Sequence, residues 1–160
     1  MKAFWELATT RDKIPLPERF LSSPLTRCLQ TAILSTRGLA KKVNVEVSEG
    51  LREVYGIHTC DRTKSRIDIQ STFPSVEFET GFPPSDNLWL PDKRESHDHA
   101  TERLRAWLAR RFLSEENAFI SATTHSGAIR ALYRATGHPD IWVARGSVTP
   151  LLVRAKRLGT

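Results

Sequence analysis

Three side chains suited to handling anions and protons stand at breaks in the pattern of this sequence: Arg27, Glu53 and His125. His125 sits in Thr124-His125-Ser126-Gly127, between a β-friendly apolar run at 118–122 and a helical pattern in which Ile129, Leu132 and Tyr133 share a face. A helix N-terminus offers unpaired N–H groups and a positive dipole end, which suits an anion. Ser126 is placed to cap that helix, and Gly127 lets the backbone come close. Two readings stand here. One is a capped helix with a histidine on the surface, and on these residues alone it has a slight edge. The other is an anion site built around His125. Arg27 is equally double. In a first helical turn its charge opposes the dipole, so it either points to solvent or reaches forward to an anion shared with the helix end. Glu53 follows a strand and a turn; by default it is a solvated carboxylate, and otherwise it lies at a sheet end.

The elements that must carry these residues alternate between strand and helix. Residues 19–22 form a short strand, 23–24 turn, and 25–37 form a helix with Leu25, Leu29, Ala32 and Ile33 on one side and Gly38 as its stop. Residues 43–47 alternate apolar and polar as a strand does. The stretch 57–92 reads as an irregular, cap-like excursion outside the core, with a short helix near 64–71. Residues 95–113 form the clearest helix, with Ala100, Leu104, Trp107, Leu108 and Phe112 as its stripe. A final strand is expected at 148–153, and Trp142-Val143 against the core. At the start, 1–17 is poorly defined, with helical spacing between Phe4, Leu7 and Ala8 and a connector set by Pro15 and Pro17. The basic tail is 156–160, and the domain proper spans 18–155. The alternation predicts a three-layer α/β/α sandwich around a mostly parallel sheet, in which ligands sit off the carboxyl ends of the strands.

The totals fit one domain of 160 residues, 39% hydrophobic and 26% charged. A net charge of +6 favours anionic partners. The basic residues are dispersed, which disfavours nucleic acid. Cys28 and Cys60 are too few for a disulfide framework and fit a reduced cytosolic or nuclear setting. No signal peptide or membrane-spanning run is read. His58, Cys60 and Asp61, and likewise His97-Asp98-His99, lack the spacing of a metal site.

Taken in order, S-P-L-T-R-C-L-Q-T-A over 23–32, Leu51-Arg52-Glu53 and Thr124-His125-Ser126-Gly127 resemble the histidine phosphatase superfamily, in its phosphoglycerate-mutase-like branch. The first motif is specific; the other two are weak singly and strong in combination. The resemblance runs from about residue 20 to 153. It implies a phosphate pocket without metal or cofactor, for a phosphorylated small molecule or phosphate ion. In it Arg27 clamps phosphoryl oxygens through its planar fork. His125, with Ser126 beside it, holds the transferring group, and Glu53 protonates the departing alcohol oxygen. The family opens with an Arg-His-Gly motif on a first strand, whose histidine becomes phosphorylated. No Arg-His-Gly occurs in this sequence, and no histidine precedes Ser22. The sheet is therefore expected to lack that strand and to show an open edge. The chain is expected to be a truncated or inactive form, or else a non-catalytic phosphate-binding or protein-interaction module.

Overall fold

The computed structural model of the chain describes residues 4–11 and 13–156. The strands are β1 (Arg19–Ser22), β2 (Val45–Val47), β3 (Glu77–Phe78) and β4 (Ile120–Thr123). The helices are α1 (Phe4–Thr10), α2 (Thr26–Ser35), α3 (Arg66–Thr72), α4 (His97–Ser114) and α5 (Ser126–Thr136), with short 3-10 turns at Glu49–Leu51 and Thr59–Asp61. The four strands form one parallel sheet in the order β3-β2-β1-β4. Phe20 pairs with Val45 and Ser121, and Ser22 with Val47 and Thr123. All four strands therefore end on the same side.

Side chains on successive strand residues face opposite ways, and β1 divides the core accordingly. Phe20 packs with Trp5 and Ala8 of α1, Leu29 and Ala32 of α2, and Ile69 of α3. Leu21 packs on the other face with Leu51, Val54, Ala100, Leu104 and Trp107, and with Ala131 of α5. This is the expected three-layer arrangement.

Several expectations need correction. In α1 the buried residues are Trp5 and Ala8, while Phe4 and Leu7 are exposed; the partner of that helix is Phe20, through an edge-to-face ring contact at 5.7 Å. The 57–92 excursion is not outside the core: β3 joins the sheet, and Ile69, Val76 and Phe82 are buried in the first cluster. Phe112 is exposed. In α5 the inward face carries Ala128, Ala131 and Tyr133. β4 is not a buried strand; its burial alternates between exposed and intermediate because it is an outer strand. No strand forms at 148–153. Pro150 removes a ladder donor there, and Leu152 is fully exposed. Val143 is buried but Trp142 is exposed. The expected basic tail lies outside the described residues beyond Lys156. Among the described residues no helix is long and apolar enough to cross a membrane.

Candidate functional site

The carboxyl ends of β1, β2 and β4 are tied to one another before any side chain is considered. The Ser23 N–H donates to Thr123 O at 2.9 Å, and the Ser48 N–H to Ser22 O at 2.9 Å. Ser22, Ser23 and Ser48 are wholly buried at this seam. His125 follows β4 as the N-cap residue of α5, with an extended backbone and no side-chain cap bond. Ser126 is the exposed first residue of the helix, so the expected serine cap does not form. One N-terminal N–H of α5, that of Gly127, is met instead by Glu53. Its Oε2 accepts from the Gly127 N–H at 3.3 Å and its Oε1 from the Val54 N–H at 2.9 Å. A carboxylate at a helix N-terminus is favoured by the dipole. It also explains Gly127, where a Cβ would lie 2.1 Å from Glu53 Oε1.

His125 is buried, and three groups surround its ring. The Arg27 Nε–H donates to Nδ1 at 3.2 Å. Ser23 Oγ lies 2.8 Å from Nε2, and Cys28 Sγ 3.3 Å from it. A guanidinium donates and cannot accept, so Nδ1 is the bare nitrogen and Nε2 carries the proton toward Ser23. Burial, reinforced by the Arg27 cation, pushes the His125 pKa down to about 3. The ring is neutral in this arrangement. Burial also pushes the Cys28 thiol up to about 12, Arg27 opposing. Cys28 is an uncharged packing neighbour of the histidine.

Arg27 lies on the first turn of α2 and spans the site. Besides His125 it donates to Cys60 O at 2.7 Å and to Asp61 Oδ1 at 3.1 Å. The guanidinium has more N–H groups than these three bonds use, and its side chain is half exposed. Asp61 is buried and is shared with Arg94 at 3.4 Å. Sequence reasoning brought Arg27, Glu53 and His125 forward, and the structure brings all three to one sheet end. It passed over Ser23 and gave Asp61 no role toward Arg27. Ser23 carries no signal beyond its place in the first motif, and Ser22 and Ser48 lie outside that motif. Asp61 was weighed as a metal ligand; among the described residues, no cluster that could hold a metal forms.

Two further arginines hold the strip that bears Glu53. Arg103 of α4 donates to Gly50 O at 2.8 Å and Arg52 O at 3.1 Å, while paired with buried Glu95 at 2.6 Å. Arg52 has no exposed surface. It makes a two-pronged pair with Asp86, at 2.9 and 2.7 Å, and donates to Glu49 at 2.7 Å. Burial pushes the Asp86 pKa up, but the Arg52 and Thr63 hydrogen bonds outweigh it and bring it down to about 2. Residues 82–92 are thereby fastened beside the pocket.

A parallel α/β sheet whose strand ends gather an arginine, a histidine and a carboxylate at a helix N-terminus defines a layered α/β domain with its polar cluster at the carboxyl ends of the strands. The family profile of the histidine phosphatase superfamily (branch 1) matches residues 5–146. The chain belongs to that superfamily. It is 41% identical over 148 residues to a probable phosphoglycerate mutase of Arthroderma benhamiae, covering 90% of this chain and 44% of that protein. It is 36% identical over 147 residues to phosphomutase-like protein 3 of Candida albicans, covering 91% and 46%. The chain thus spans about half the length of these relatives. Among solved structures, mycobacterial glucosyl-3-phosphoglycerate phosphatase shares the fold with a TM-score of 0.53 and 23% identity, over 86% of this chain and 64% of that one. The same enzyme in complex with inorganic phosphate matches with a TM-score of 0.52 at 21% identity, over 86% and 66%.

Proposed function

We propose that this chain forms the phosphate-holding part of a phosphomonoesterase site and, by itself, binds phosphate without turning it over. Arg27 clamps phosphoryl oxygens with its remaining N–H groups. His125 lines the site beside that clamp, with Ser126 and the first turn of α5 next to it, and Glu53 stands where a departing alcohol oxygen takes up a proton. The observation that carries this reading is the meeting of Arg27 and His125, 98 residues apart in the chain, at 3.2 Å on the end of β4. The superfamily membership supports it. So does the capture of inorganic phosphate by a protein of the same fold.

A phosphohistidine needs a ring nitrogen free to attack phosphorus. In His125 Nδ1 already accepts from Arg27 and Nε2 is turned to Ser23. His125 is therefore assigned to holding Arg27 in place beside the phosphoryl group, not to attacking phosphorus. Hydrolysis through phosphohistidine in a whole protein requires a further histidine, which these 160 residues do not supply as Arg-His-Gly.

Calorimetry with inorganic phosphate and with vanadate tests this. Arg27→Ala is expected to weaken both by roughly tenfold or more, the loss of charged hydrogen bonds. Equal affinity of variant and parent would remove Arg27 from the site. Release of nitrophenol from p-nitrophenyl phosphate that disappears in His125→Asn would instead make the chain catalytic and overturn the binding-only assignment.

A further inference from the structure

Among the described residues only Lys13 and Ile57 combine a side chain with a positive φ, and Ile57, at 63°, is β-branched. The His58 N–H donates back across it to Gly56 O at 2.7 Å. A bond from residue i+2 to residue i around a positive φ makes the rare form of the γ-turn, which is strained. For a β-branched residue such a backbone is an outlier. The turn opens a strap, residues 57–61, that lies across Arg27. Cys60 stands on one side of the groove in front of Arg27, with Thr26 and Gln30 of α2 on the other.

The strap is held down by charge and hydrogen bonds, with no apolar anchor. Ile57, His58, Thr59 and Cys60 are exposed, and Asp61 is its one buried residue. Asp61 lies between two guanidiniums, with Oδ1 accepting from Arg27 at 3.1 Å and Oδ2 from Arg94 at 3.4 Å. Cys60 O takes another N–H of Arg27 at 2.7 Å. At the rim the Ile57 N–H donates to Leu90 O and the Trp89 indole N–H to His58 O, both at 2.9 Å. The far end is pinned: Arg52 donates to Asp61 O at 3.2 Å, and the Thr63 N–H to Asp86 Oδ2 at 2.7 Å. The segment is therefore strained at one end, fixed at the other and free of buried apolar contacts between, the kind that opens first. Both terminal nitrogens of Arg27 are engaged by it. A phosphate taken up by Arg27 puts a second anion on the guanidinium that Asp61 already uses, and two anions on one cation repel.

We propose that residues 57–61 are a self-inhibitory strap, an inference that rests on the assignment of Arg27 to phosphate. Asp61 occupies Arg27 while the site is empty. Phosphate displaces it, and the strained turn at Ile57 favours the release.

Hydrogen exchange read by mass spectrometry tests this on the full chain, with and without saturating inorganic phosphate at matched ionic strength. The amides of Ile57, His58 and Asp61 are bonded in the closed strap. With phosphate they should exchange about tenfold faster, the loss of charged hydrogen bonds, while amides of α4 do not speed up. Asp61→Asn keeps the shape and removes the charge. It should show the fast exchange without phosphate and bind phosphate about threefold or more tightly in calorimetry. Ile57→Gly relieves the turn, so strap exchange should slow and phosphate affinity fall, each by about threefold. The inference is overturned if bound phosphate slows these amides or leaves them unchanged, or if Ile57→Gly exchanges as fast as the parent. Weaker phosphate binding by Asp61→Asn also overturns it and makes Asp61 a support for Arg27. Failure of the phosphate assignment looks different: calorimetry shows no binding, or equal binding by Arg27→Ala, and the inhibitory role of the strap then falls with it.

Discussion

Arg27 and His125 each limit what the other can do. The guanidinium occupies Nδ1 and, with burial, holds the imidazole neutral. Between about pH 3 and 6.5 the unfolded chain therefore binds a proton at this residue and the folded chain does not. Stability rises with pH across that window, and the contribution is complete above it. From pH 6.5 down to 5.5 this residue alone should remove about 1 kcal/mol of unfolding free energy. Urea unfolding of the parent and of His125→Gln at the two pH values measures it. A pH dependence identical in both proteins would mean that His125 titrates normally in the fold. At this scale residue type left Arg27 and His125 open between two readings; the ordered motifs that carry them singled them out, and they meet at one sheet end. The sequence was silent where the role comes from approach. Ser23 meets His125 across 102 residues, and Asp61 becomes Arg27's counter-ion through a turn that pattern reading leaves irregular.

The strip from the 3-10 turn at Glu49–Leu51 to Gly56 is shaped by cations, not by regular hydrogen bonding. Arg103 gathers its carbonyls, and Arg52 joins it to the 82–92 segment. Arg52→Ala would leave Asp86 and Glu49 facing each other without their cation. A broken buried pair costs roughly 3–5 kcal/mol, and that loss is expected in urea unfolding of the variant. A loss below about 1 kcal/mol would show that the pair is solvated. Elements set by local pattern were read closely: β1 falls at the predicted residues 19–22. The 57–92 region was misread because Val76 and Phe82 reach the core one at a time, on either side of a two-residue strand with no period to detect. The strand expected at 148–153 failed for the complementary reason. Its composition is strand-like, but a strand needs a neighbour, and it pairs with none here.

The molecule ends asymmetrically across its sheet. On one side is β3, two residues long; on the other is β4, with Phe119 and Ile120 exposed and its outer edge unpaired among the described residues. Such an edge is a template for association. The chain is expected to self-associate as its concentration rises, and Ile120→Lys to reduce this in light scattering. Unchanged association would direct attention to another surface. The layered α/β class and the open edge were both legible, because strand–helix alternation and a missing motif are global properties of the sequence. The site has a further consequence, for rates. Its defining contacts join residues 98 and 102 positions apart, and contacts that close such long loops form late in folding. A ligand recognised by late contacts stabilises the native state but not the barrier. Saturating inorganic phosphate should therefore slow unfolding in stopped-flow experiments and leave refolding unchanged. Faster refolding would place the pocket in the transition state. If unfolding alone slows, phosphate sets how long each folded molecule lasts, not how quickly it forms.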